Sequence, residues 1–121
     1  MTPRNGIVLF GHGSRDPLWR QPLEATAARI AQHAPAVAVR CAYLELDAPD
    51  LPTATAELAS AGVEAITVIP MFLGMGKHAR EDLPLLMEQL RTRHGSIAFT
   101  LRPAVGEDPR VLDLLARIAL E

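Results

Sequence analysis

Four short apolar runs alternate along the chain with four segments whose apolar residues recur at helical spacing. The first run, residues 6–10 (GIVLF), is unbroken and ends against Gly11 and Gly13. A run this short, apolar at successive positions, predicts a strand covered on both faces, as in a parallel sheet. Residues 17–34 carry Leu18, Leu23, Ala27 and Ile30 at helical spacing. Asp16 followed by Pro17 marks the helix start: the acid caps free N–H groups, and the proline sits where no N–H is needed. Pro35 stops it. A second strand is predicted over 37–44, and an Ala-rich helix over 53–61 closed by Gly62. Residues 65–72 give the strongest strand, with Pro70 near its end, where a missing ladder donor is tolerated. Residues 73–82 (LGMGKHARED) read as a loop. A helix follows, with Asp82 as its cap, Pro84 in its first turn, and Leu83, Leu86, Met87 and Leu90 on one face. Residues 96–101 form the fourth strand. Asp108 and Pro109 then open a last helix, striped by Val111, Leu112, Leu115 and Ile118.

Strands alternating with helices imply βαβ units. The expected fold is therefore α/β, a four-stranded parallel sheet with helices on both faces and strand order 2-1-3-4. Residues 1–121 are expected to make one domain. In that order strands 1 and 3 are neighbours whose connections leave in opposite directions, so a crevice opens beyond their carboxyl ends. A ligand is expected where residues 11–16 meet residues 73–82.

Composition narrows the classes. Apolar residues make up 49% of the chain but aromatics only 4%, so the core is aliphatic. Twelve basic against fourteen acidic residues give a net charge of -2, which argues against a nucleic-acid partner. Cys41 is the single cysteine, so no intramolecular disulfide or Cys-rich metal site forms, and a reducing, cytoplasmic location is expected. No apolar run reaches the ~18–20 residues of a membrane span, and the start lacks the features of a signal peptide.

Both loops at the expected crevice hold a histidine: His12 in GHGSRD and His78 in GMGKHARED. Two imidazoles facing one gap suit a borderline divalent ion such as Co, Ni, Fe or Zn. His33 and His94 fall at helix C-termini, where imidazole complements the helix dipole, and carry no expected chemistry. Glu45, at the end of the second strand, is either a proton acceptor with a raised pKa in the same mouth or an ordinary exposed acid. Arg15, Arg80 and Lys77, the only lysine, lie in the two loops; three cations there suit an anionic ligand, or simply pair with Asp16, Glu81 and Asp82. A phosphate at the helix start near Asp16 is a further reading. Ser14 lacks a nucleophile-elbow context and reads as a turn or capping residue. Cys41 reads as core; Leu18 and Trp19 are expected to fill the core, with packing on a flat ligand face as the alternative.

Taken together, GHGSRD at 11–16, AYLE at 42–45 with Pro49, PMFLGMGKH at 70–78 with DLP at 82–84, and GEDP at 106–109 resemble the short form of the CbiX-type sirohydrochlorin cobaltochelatases, within the class II chelatases. The resemblance spans nearly the whole chain. It implies a metal chelatase, a lyase of cobalamin or siroheme biosynthesis, that inserts a divalent ion, Co2+ foremost and Ni2+ or Fe2+ as alternatives, into a sirohydrochlorin-like tetrapyrrole. It implies a homodimer enclosing the macrocycle, metal contact by His12 and His78, and proton acceptance by Glu45 or by one of the histidines once the metal has passed on, with Tyr43 where the family usually has Phe. Ser14, Arg15, Lys77 and Arg80 are the expected substrate contacts. A non-catalytic metal or tetrapyrrole carrier is the competing reading.

Overall fold

The structure, a computed structural model, describes residues 4–121. Four parallel strands, β1 (Asn5–Gly11), β2 (Ala38–Tyr43), β3 (Ala65–Pro70) and β4 (Ala98–Leu101), lie in the order β2-β1-β3-β4. Four helices connect and follow them: α1 (Gln21–His33), α2 (Leu51–Ser60), α3 (Lys77–Arg93) and α4 (Pro109–Leu120). Phe10 of β1 lies opposite both Ala42 of β2 and Pro70 of β3, so the three strands end at one level. Their following loops therefore share one edge, and the switch point falls between β1 and β3 as expected.

Alternation along β1 separates two cores. Val8 and Phe10 join Ile66 and Val68 of β3 under Leu51, Ala54 and Leu58 of α2 and Leu83, Met87 and Leu90 of α3. Each of these large side chains contributes about 1.5–3 kcal/mol by leaving water. Leu9 points the other way, with Leu23 of α1 and Tyr43 of β2. Helices thus flank both faces. Asp50 caps α2, its carboxylate accepting from the Thr53 N–H at 2.9 Å, which moves the helix start back to Leu51 from the expected residue 53.

The structure differs from the sequence reading in four further places. First, α3 begins at Lys77, with Gly76 at the cap position, so His78 and Arg80 are helical and Asp82 is not a cap. Pro84 stands inside the helix, where it removes one hydrogen bond. Lys77, Ala79, Arg80 and Glu81 are good helix formers, and they carry the helix upstream of the proline. Second, residues Pro17–Arg20 form a 3-10 turn that carries Leu18 (65% exposed) and Trp19 (41% exposed) outward instead of into the core. Third, Cys41 is only half-buried, although burial still raises its thiol pKa. Fourth, the apolar stripe of α4 forms but is not covered: no α4 side chain is buried, and Leu112, Leu115 and Ile118 are 50, 41 and 56% exposed.

Candidate functional site at the carboxyl ends of the strands

Three loops meet beyond β1, β2 and β3. The backbone pairing of β1 and β2 runs past the strand ends: the Leu44 N–H donates to Gly11 O at 2.9 Å and the Glu45 N–H to His12 O at 3.1 Å. Gly13 makes this closeness possible. Its φ is +103°, and a Cβ there would lie 1.6 Å from the Glu45 carbonyl oxygen. Only glycine meets both conditions. Gly106 serves the same end at the opposite side, where a Cβ would lie 1.7 Å from Leu73 O while its N–H donates to Phe72 O at 2.9 Å. The loop after β3 is thereby fixed against the approach to α4.

On this frame the side chains of His12 and Glu45 meet, with Nε2 to Oε1 at 3.4 Å. The His12 ring also lies edge-on to Phe72, centroids 6.2 Å apart. His78 projects from the first turn of α3, where both it and Lys77 are exposed. His12, Leu44, Phe72, Gly74, Lys77 and His78 line one cavity of about 200 Å³. The two histidines singled out from sequence thus share a cavity, and Glu45, not among its lining residues, is linked to it through His12. The Glu45 side chain is 57% exposed rather than set among apolar neighbours, so the expected desolvation is absent.

The other expected contacts divide. Lys77 reaches the cavity wall. Ser14, Arg15 and Arg80 are not among its lining residues. Ser14 acts as the turn residue its context suggests, Oγ accepting from the Asp16 N–H at 3.1 Å. Arg80 donates from Nη1 to Met75 O at 3.2 Å. Among the described residues, Arg15, Lys77 and Arg80 form no ion pair, so the pairing with Asp16, Glu81 and Asp82 is not made.

Two residues passed over in the sequence support the site from behind. The Asp47 carboxylate, its side chain only 6% exposed, accepts from the Ser14 N–H at 2.9 Å and from Arg20 Nη1 at 2.8 Å. That bond raises the Arg20 pKa, and Glu24 assists. Tyr43, beneath this group and 6.3 Å from the Trp19 ring, has its pKa pushed up to about 12, chiefly by burial. No sequence signal marks Asp47 or Arg20, since each is one acid or base among many.

Among the described residues no three His, Cys, Asp or Glu side chains converge tightly enough to cage an ion. Two imidazoles on a small open cavity can contact an ion while leaving most of its coordination positions for other ligands.

A parallel α/β sheet with His12 beyond β1 and His78 in the first turn of α3 lining one cavity at its switch point places the protein in the doubly wound class. The CbiX family model matches residues 6–121, and the chain belongs to the CbiX family. Among its relatives, a sirohydrochlorin cobaltochelatase of Methanococcoides burtonii is 30% identical over all of this chain and 98% of its own length. One from Methanosarcina acetivorans is 38% identical over 69% of the chain and 65% of its own length. The crystal structure of a CbiX protein from Marinobacter aquaeolei VT8 superposes with a TM-score of 0.79 at 35% identity, covering 96% of this chain and 93% of that one. The sirohydrochlorin chelatase SirB from Bacillus subtilis subspecies spizizenii, solved in complex with cobalt, gives 0.79 at 26% identity. This chain covers only 49% of SirB.

Proposed function

We propose that the protein is a metal chelatase that inserts a divalent ion, Co2+ foremost, into sirohydrochlorin or a closely related tetrapyrrole. The observation that carries the reading is that His12 and His78 line one cavity, with the Glu45 carboxylate 3.4 Å from His12. Relatives named as sirohydrochlorin cobaltochelatases, one matching end to end, support the substrate and the ion.

Insertion requires two pyrrole N–H protons to leave and the ion to shed water. His12 and His78, in their neutral forms, hold the ion at the mouth with positions open for ring nitrogens. Glu45, beside His12 and open to solvent, accepts a departing proton and passes it to water. Lys77 at the cavity wall, with Arg15 and Arg80 on the surrounding loops, pairs with the substrate's carboxylates and fixes the ring over the ion.

A cavity of about 200 Å³ admits an ion and part of a ring, not a macrocycle. We therefore infer that two copies enclose the substrate. The chain matches a short relative over 98% of that protein's length but only 49% of SirB, so two copies supply about the length that SirB has in one chain. The open apolar stripe of α4 supports such an interface. A reducing cytoplasm fits the single, half-buried Cys41. Among the described residues no helix is long and apolar enough to cross a membrane.

The test is the visible spectrum of sirohydrochlorin with Co2+ and catalytic protein. A band shift continuing over many turnovers is expected. A shift that stops at one equivalent identifies a carrier and overturns the reading.

A further inference from the structure

The contact between His12 and Glu45 joins two loops from different strands, and both side chains are more than half exposed. Their backbones are already joined, the Glu45 N–H donating to His12 O at 3.1 Å, and the His12 ring rests on Phe72, but no hydrogen bond within the pair fixes the direction of the two side chains. A second tie lies in the residues behind them. Leu46 adopts φ +65°, a left-handed conformation unusual for a branched side chain. The chain bends there, and the acids on either side part: Glu45 meets His12, while Asp47 turns back to Ser14 and Arg20. Ser14 is two residues beyond His12, and Asp47 two beyond Glu45. The single buried carboxylate of Asp47 therefore ties the His12 loop to the Glu45 loop. Arg20, held also by Glu24 at 3.0 Å, adds the start of α1 to the same knot.

We propose that Asp47 and Arg20 are a positioning pair that sets the register of His12 against Glu45. Neither touches the cavity. Asp47 acts through the Ser14 N–H on the loop bearing His12, and Arg20 holds the Asp47 carboxylate in its buried place. The pair's consequence for turnover rests on the chelatase reading above; its consequence for geometry does not.

The experiment uses the full chain and two readouts. In cobalt insertion, Asp47→Ala lowers kcat by about tenfold to a hundredfold, the range found when groups that orient metal-site ligands are removed, with KM for sirohydrochlorin little changed. Arg20→Ala lowers kcat less, and Arg20→Lys restores it. In NMR spectra without metal or tetrapyrrole, Glu45→Gln shifts the His12 ring resonances in the parent chain, and this response is lost in the Asp47→Ala background. Should Asp47→Ala fail to fold, Arg20→Ala, at a partly exposed side chain, carries both readouts. An undiminished His12 response in the altered background, or a kcat equal to that of the parent, overturns the proposal. A parent chain that inserts no metal overturns the chelatase reading alone, and the NMR arm then decides the positioning role.

Discussion

Nε2 of His12 and Oε1 of Glu45 lie 3.4 Å apart on loops that leave adjacent parallel strands. A base and a carboxylate so placed can divide the labour of insertion: the imidazole contacts the ion and the carboxylate takes the proton. Removing the negative charge separates the two. Glu45→Gln keeps the shape of the site and is expected to slow insertion by about a hundredfold or more, the usual worth of a placed proton acceptor. Co2+ binding, followed by the visible spectrum of the ion without tetrapyrrole, stays near the parent value. A Glu45→Gln chain that turns over at the parent rate would remove the carboxylate from the mechanism.

His12 and His78 face one cavity from separate elements, so neither replaces the other. Each single alanine substitution is expected to cost at least about tenfold in insertion, and the double substitution to abolish it. Both side chains are exposed, so thermal stability should stay within about 0.5 kcal/mol of the parent. Insertion assays beside thermal melts test this. Parent-level turnover by the double variant contradicts metal handling at this mouth.

Gly13 allows the two loops to touch, and the cost of changing it is steric. Gly13→Ala forces a side chain into φ +103° and a Cβ onto the Glu45 carbonyl. The backbone strain alone is worth about 1–3 kcal/mol, and displacement of the Glu45 loop adds to it. Chemical denaturation should show that loss, and insertion should fall together with it. By contrast, Gly74→Ala, with nothing within 4 Å of the added Cβ, should leave stability close to the parent value.

The sheet order and the nearness of the loops that carry His12 and His78 were legible in the sequence for the same reason. Alternating strands and helices restrict the topology, and the topology brings particular strand ends together whatever the loops contain. The buried face of α3 followed from helical spacing, with Leu83, Met87 and Leu90 on it. What depended on contact between loops was not legible. Asp47 and Arg20 carry no periodicity, and their meeting follows from the bend at Leu46 and the 3-10 turn at residues 17–20. The start of α3 was misplaced because Pro84 is a strong helix-start signal, while the polar turn before it has helix propensity but no apolar stripe. The stripe on α4 was legible as a helix face; a sequence pattern marks an apolar face without saying whether the same chain covers it.

Acidification acts on the cap of α2. The Thr53 side chain and N–H lower the Asp50 carboxyl pKa below its ordinary value. A group lowered in the folded state contributes stability above its unfolded pKa, about 3.9, and loses it as pH falls through the folded value. Asp50→Ala is therefore expected to cost about 1 kcal/mol at pH 7, the usual worth of a helix cap. The difference from the parent should persist to about pH 4 and narrow only below it. Paired melts from pH 7 to pH 3 check this; a difference that disappears above pH 5 would place the stabilisation elsewhere.

The uncovered stripe of α4 makes the last case. Leu112, Leu115 and Ile118 lie one helical turn apart on a face that no other part of the described chain buries. Exposed apolar stripes of this kind mark contact surfaces. If a second copy covers them, a charge on the stripe separates the copies without disturbing the protomer, because the protomer's own core does not include these residues. Leu115→Glu is expected to convert a dimer to a monomer in sedimentation equilibrium. Insertion should fall with it, because one mouth alone does not enclose the macrocycle, and should recover partly at high protein concentration as mass action restores the pair. A monomeric parent chain with full activity would show that one copy suffices and that the stripe serves another purpose.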